Sequence, residues 1–149
     1  MSQAAKRLAT YADVLAAPAE QIAQILGGEL HLHPRPARRH TRSASTLGAH
    51  LLIEADFGRD QQGGDWVIRY EPELHLGRDV LVPDLAGWRV ERFPGDDDDD
   101  EPYFTVAPDW VCEVLSPSTM RVDRVLKMPV YAREGIGQSA SPTRNWFER

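Results

Sequence analysis

Apolar positions along this 149-residue chain change period several times, and each change predicts an element. Thr10-Tyr11-Ala12-Asp13, followed by Val14 and Leu15, reads as a capped helix start that stops near Pro18. Ile22 to Leu26, the Gly27-Gly28 pair and Glu29 to His33 then read as a tight β-hairpin. In its second strand Leu30 and Leu32 face one way, while Glu29, His31 and His33 face the other. Pro34 and Pro36 end it. From about Ala37 to Phe57 the pattern turns helical: Ala44, Leu47, Leu51 and Ala55 recur at spacings of three and four, and Leu52 widens the stripe.

Gly58 and Gly63-Gly64 break that helix, after which Trp66 to Tyr70 alternates as a strand and Leu74 to Leu76 continues the sheet up to a turn at Gly77. Val80 to Trp88 reads as one apolar strand holding Asp84, with Pro83 at its centre arguing for an edge, a bulge or an irregular stretch. A second apolar strand, Trp110 to Leu115, carries Glu113. Ser118 or Thr119 caps a helix from about Met120 to Arg133, in which Val122, Leu126 and Val130 share one face and Asp123, Lys127 and Tyr131 the adjacent one. Pro129 lies inside this helix and is expected to kink it. Beyond Gly135 no strand periodicity appears before Trp146-Phe147, and no internal repeat is visible. Helix, hairpin, helix, strands, helix is the order of a mixed sheet with helices packed on it, an α/β or α+β single domain.

Composition narrows the setting. The chain suits one domain with a modest core, and its hydrophobic fraction of 42% is ordinary for a globular protein. No run approaches the roughly 18 apolar residues of a membrane helix, no signal-peptide stretch opens the chain, and Cys112 has no second cysteine to pair with. A reducing, cytoplasmic location without membrane contact is the expectation. The net charge of −6 is accounted for by the acidic run from Asp96 to Glu101, read as a solvated loop insertion over residues 95–102. With that run set aside, Arg35, Arg38, Arg39, His40 and Arg42 stand out as the one basic cluster, either a solvated helix start or a phosphate-contact patch for nucleic acid.

The chemistry lies in the two acidic strands. A carboxylate within an apolar run is costly unless it is paired or binds a cation. Asp84 and Glu113, on neighbouring strands, meet the demand of a magnesium site for a few carboxylates with positions left for water and phosphate. Lys127, on the helix after the Glu113 strand, could orient a water or offset phosphate charge, and Glu29 is a third carboxylate at the mouth of the hairpin. Each has a plainer reading. Asp84 could cap a turn, Lys127 could pair with Asp123 or Tyr131 on a helix surface, and Glu29 could face solvent. Tyr131 reads as packing. His31 and His33 alternate as zinc ligands do, but no third ligand follows, so a surface strand is the expectation; His40 is read likewise as exposed. Ser116 and Ser118 lack a histidine and acid at recognisable spacing for a nucleophile.

Pro83-Asp84, then Glu113-Val114-Leu115-Ser116-Pro117-Ser118-Thr119, then Asp123-x-x-x-Lys127-x-x-x-Tyr131-Ala132-Arg133-Glu134-Gly135 resembles the Uma family of endonucleases. That family belongs to the restriction-endonuclease-like, PD-(D/E)XK superfamily. Thr10-Tyr11-Ala12-Asp13 and Gly28-Glu29-Leu30 also match, so the resemblance spans roughly residues 10 to 135. It implies a mixed β-sheet flanked by helices and hydrolysis of DNA phosphodiesters through a magnesium-activated water, with manganese as an alternative ion. Carried onto this chain, Asp84 and Glu113 are the metal ligands and Glu29 is the acid from the N-terminal hairpin. Lys127 replaces the lysine that the superfamily places two residues after the second acid, where this chain has Leu115. Fold-level analogy to nucleases that pair two active sites for two strands adds a homodimer to the expectations.

The organisation expected is a flexible stretch over 1–9, the nuclease-like domain over 10–135 and an atypical tail over 136–149. In the family the Tyr-Ala-Arg-Glu-Gly-Ile stretch leads into a further core strand, so this tail is read as a truncation or frameshift. The alternative function is therefore an inactive remnant that binds DNA or another protein. An acidic interaction module working through Asp96 to Glu101 ranks last.

Overall fold

Residues 7–35, 38–56, 64–95, 101–115 and 120–142 are described by a computed structural model. Helix α1 (Tyr11–Leu15) begins where the Asp13 carboxylate accepts hydrogen bonds from the backbone N–H of Thr10 at 2.7 Å and from its hydroxyl at 3.0 Å. The hairpin follows as β1 (Gln21–Leu26) and β2 (Glu29–Pro34), joined by Gly27 and Gly28 at φ +61° and +82°. Both turn residues are left-handed, as a two-residue type I′ connection requires. Helix α2 (Arg38–Leu51) runs on through a π-helical turn at Leu52–Asp56. Then come β3 (Trp66–Tyr70), β4 (Leu74–Leu76), β5 (Asp79–Leu81), β6 (Leu85–Arg89) and β7 (Trp110–Leu115).

The predicted single strand from Val80 to Trp88 is in fact two strands in different sheets. β5 joins a sheet ordered β2-β1-β5-β4, and β6 joins one ordered β3-β6-β7-β8. Pro83 is the reason: it has no N–H to give to a ladder, so the chain leaves one sheet at Val82 and enters the other at Leu85. Asp84 therefore sits in the crossing between the two sheets, not inside a strand.

The helix after β7 is built of α3 (Met120–Val122), a π turn (Asp123–Lys127) and α4 (Met128–Arg133). A π turn precedes Pro129, in which the N–H of Met128 reaches back to the carbonyl of Asp123. Pro129 then lies in the first turn of α4, the position where proline is best tolerated. Gly135, at φ +70°, closes the helix with a Schellman pair: its own N–H bonds to Ala132 O at 3.1 Å and that of Ile136 to Tyr131 O at 2.9 Å.

Contrary to the sequence expectation for residues 136–149, Gly137–Pro142 forms a strand, β8, parallel to β7 in the register Trp110↔Gly137 to Leu115↔Pro142. Gly-Gln-Ser-Ala-Ser-Pro has neither alternation nor β-branched residues. The strand is made by the crossover helix, which returns the chain alongside β7, and by backbone bonding. Residues 143–149 lie outside the described part, as do the acidic run Asp96 to Asp100 and the Ser116 to Thr119 segment.

β7 separates two apolar clusters by the period of two. Cys112 packs with Ile68 and Leu85 beneath Leu47, Leu51 and Leu52 on the α2 side. On the opposite side Val111 joins Leu26, Leu74, Leu81, Trp88, Val130 and Tyr131 in the larger core between the sheets and α4. Glu113 shares the side of Val111 and is 2% exposed. A carboxylate has thus been folded into the larger core. Among the described residues no helix is long and apolar enough to cross a membrane.

Candidate active site

The crossing places Asp84 against β7. Its Oδ2 accepts a 2.6 Å hydrogen bond from the backbone N–H of Val114, the residue after Glu113, and its own carbonyl accepts from Glu71 N at 3.0 Å. Glu71 has φ +46°, the one non-glycine residue with positive φ among those described. Backbone strain of this kind gathers at functional sites, and here it adjoins Asp84. The two acids singled out from sequence are thus fastened to neighbouring positions of one strand.

Glu113 is held by two groups through three hydrogen bonds. The Tyr131 hydroxyl donates to Oε1 at 2.6 Å, and Lys127 Nζ donates to Oε1 at 3.1 Å and Oε2 at 3.3 Å. Lys127 also donates to the carbonyl of Val82 at 3.1 Å and pairs with Asp123 Oδ1 at 3.2 Å. The stripe Asp123, Lys127, Tyr131, legible as one helix face, is the stripe that meets Glu113. Pairing of Lys127 with Asp123 was the plainer reading, and it occurs, but in the interior: each is 4% exposed. Asp123 and Tyr131 were not assigned to the site from sequence, although their spacing from Lys127 was visible.

Among the described residues, acidic side chains outnumber cations in this pocket. Burial, the largest cause, together with Asp123 and Asp84, raises the Glu113 carboxyl to about 7 against the opposing pull of Lys127 and the Tyr131 hydrogen bond. For Lys127 burial works toward the neutral amine, but Glu113, Asp123 and Asp84 together raise its pKa above the ordinary value, so it stays an ammonium. Among the described residues three acidic side chains therefore bear on one cation. Their hard oxygen donors and surplus negative charge fit a divalent ion such as magnesium, which takes one or two carboxylates and keeps several waters. No cluster of three or more His, Cys, Asp or Glu at metal-holding distance occurs among the described residues. A cation held by Asp84 and Glu113 would thus complete its shell with water and substrate oxygens.

Glu29 is not brought into this cluster. It is exposed at the turn end of β2, and the hydrogen bonds and ion pairs given above for Glu113 and Lys127 go to other residues. β1 contributes Gln24 instead: 2% exposed, it accepts the N–H of Val82 through Oε1 at 2.8 Å and pins the start of the crossing. In the basic cluster Arg42 is exposed on α2, and Arg35 donates to the carbonyl of Ala19. The side chains of Arg38, Arg39 and His40 lie outside the described part. His31 and His33 are partly buried, whereas Leu30 and Leu32 on the other face of β2 are 37% and 43% exposed. Within β2 the histidines are the more buried positions, while in β1 both faces are closed off, Ala23 and Ile25 on one and Gln24 on the other.

Comparison with known proteins agrees with this architecture. A crystal structure of a putative nuclease belonging to DUF820 from Anabaena variabilis superposes with a TM-score of 0.64 at 22% identity, covering 89% of this chain and 72% of that one. The shared fold is the restriction-endonuclease-like one, mixed β-sheet with flanking helices. No curated protein matches the chain significantly. The family model Uma2, described as "Putative restriction endonuclease", matches residues 8–138, and the chain belongs to that family.

Proposed function

We propose that the protein is a divalent-cation-dependent endonuclease that hydrolyses DNA phosphodiester bonds. The observation that carries the proposal is the fastening of Asp84 to the N–H of Val114, beside Glu113, in a pocket where acidic side chains outnumber cations among the described residues. Asp84 and Glu113 would hold magnesium, or manganese in its place. When bound, the ion supplies Lewis acidity toward phosphate oxygen and lowers the pKa of a water nucleophile.

The chain's own residues do the rest. Lys127 holds Glu113 and the Val82 carbonyl together, so strand β7 and the crossing keep one geometry. Its ammonium also offsets part of the charge that phosphate brings into a poorly screened pocket. Tyr131 fixes the rotation of the Glu113 carboxylate through Oε1. Exposed Arg42 on α2, a member of the basic cluster, would contact the DNA backbone outside the site. Glu29 acts at most from the periphery.

A plasmid-nicking assay tests the proposal. Supercoiled DNA is relaxed and linearised with magnesium or manganese, is untouched in chelator, and is untouched by Asp84→Asn or Glu113→Gln that melt like the unsubstituted protein. Equal nicking by both variants would overturn the assignment.

A further inference from the structure

Between α2 and the sheet β3-β6-β7-β8 lies a cavity of about 280 Å³. Ser45 and Gly48 of α2, Leu52 of the π turn, Ile68 and Tyr70 of β3 and Leu85 of β6 line it. Its floor is closed, with Ile68 and Leu85 buried, and its mouth is open, with Ser45 exposed and the Tyr70 ring 45% exposed. The volume is just under the range of roughly 300–1,000 Å³ found for small-molecule pockets, which leaves room for one flat ring system.

Gly48 keeps this cavity open. Glycine inside a helix is less favourable than alanine, and Gly48 lies in the body of α2 without a positive φ that would call for it. Packing does not call for it either. A Cβ at Gly48 would stand 3.4 Å from Leu85 Cδ2 and 3.6 Å from Tyr70 Cδ2, at ordinary contact distance. What a methyl group would remove is the space between the helix and the Tyr70 ring.

The cavity adjoins the acidic site both along the chain and across the sheet. Leu85, in its wall, directly follows Asp84, and Tyr70 is the partner of Leu85 in the β3–β6 ladder. The residue after Tyr70, Glu71, gives its N–H to the Asp84 carbonyl at 3.0 Å. In accord with this geometry, burial first, then the charges of Glu71 and Asp84, raise the Tyr70 hydroxyl against a hydrogen bond with Ser45. A nucleobase is joined to its phosphate through a single sugar, so a phosphate held at Asp84 brings a base within reach of this wall.

We infer that the cavity takes an unpaired nucleobase next to the scissile phosphate, stacked on Tyr70, and so selects DNA that has such a base. This selectivity rests on the nuclease reading and gives it a substrate class. Apart from the hydroxyls of Ser45 and Tyr70 the lining is apolar, so the face of the ring is recognised and the identity of the base is not. Pairing decides instead. Extruding a base from a duplex costs at least as much as stacking on one aromatic ring returns, and costs least where the base is already unpaired. An unpaired base should therefore improve affinity about 5- to 100-fold.

Binding in chelator tests this apart from turnover. Fluorescence anisotropy compares a labelled duplex containing one unpaired base with its fully paired counterpart. The unsubstituted protein should bind the first more tightly, Tyr70→Ala should bind the two alike, and Tyr70→Phe, which keeps the ring, should retain the preference. Gly48→Ala, which favours the helix and keeps the fold, should shrink it. Equal affinity of the unsubstituted protein for both duplexes, or a preference undiminished in folded Tyr70→Ala or Gly48→Ala, overturns the inference. If the preference holds but neither duplex is cut with magnesium or manganese, the nuclease reading fails and the base site stands. If both duplexes are bound and cut alike, the base site fails and the nuclease reading stands. Failure of both duplexes to bind, with or without metal, overturns both.

Discussion

Lys127 Nζ stands 3.1 Å from Glu113 Oε1 and 3.2 Å from Asp123 Oδ1, all three side chains shut into the interior. Among the described residues the lysine is the sole cation bonded to either carboxylate. Lys127→Ala should therefore destabilise the protein by about 3–5 kcal/mol, the cost of leaving buried carboxylate charge unpaired. Urea denaturation with chelator present measures it, and a loss below about 1 kcal/mol would show that the pair is solvated.

Tyr131 gives a smaller effect with a sharper signature. Phe in its place keeps the ring in the core beside Val111 and Val130 but removes the hydroxyl that bonds Glu113 at 2.6 Å. Tyr131→Phe should lose about 1.5–3 kcal/mol, the worth of a hydrogen bond to a charged group. Nicking activity should fall with it, because Glu113 is left free to rotate. A variant equally stable and active would assign Tyr131 to packing alone.

Acidity at Glu113 has a definite sign. Its carboxyl is raised from the ordinary 4.5 to about 7, burial being the main cause, so between those values the folded protein holds a proton that the unfolded chain has released. Stability contributed by this group is present below about pH 4.5 and is lost as pH rises through about 7. Compared with Glu113→Gln in chelator, the unsubstituted protein should lose ground from pH 4.5 to 7.5. If it gains ground over that range, the carboxylate is the stabilised form and the sign is wrong.

Cys112 should be inert. It is 0% exposed on the α2 side of β7, and burial, aided by Glu113 and Asp84, pushes its thiol up to about 12. Thiol reagents should modify it only at the rate of unfolding, and rapid labelling of native protein would mean that α2 leaves this face of the sheet.

Much of the fold was legible because its signals are local. The Gly27-Gly28 turn, the Thr10 start of α1 and the stripe of α2 each follow from a few adjacent residues. The division of Val80 to Trp88 between two sheets was half visible, since Pro83 ruled out a regular strand but could not say that two sheets meet there. β8 was not visible at all: Gln138 to Ser141 form a strand because a parallel neighbour lies beside them, and nothing in their composition records that neighbour. The site divides the same way. Asp84, Glu113 and Lys127 stood out by type and setting, and the structure joins them. Asp123, Tyr131 and Gln24 enter through burial and long-range bonding: spacing put the first two on one face with Lys127, but could not report that this face meets Glu113.

The central claim is that Asp84 and Glu113 together hold a divalent cation. Calorimetric titration of the metal-free protein with magnesium, then manganese, reads it most directly. The account predicts saturable binding that Asp84→Asn and Glu113→Gln each abolish while both variants keep a cooperative melt. Saturable binding that persists unchanged in both variants, or no binding by the unsubstituted protein, would contradict it.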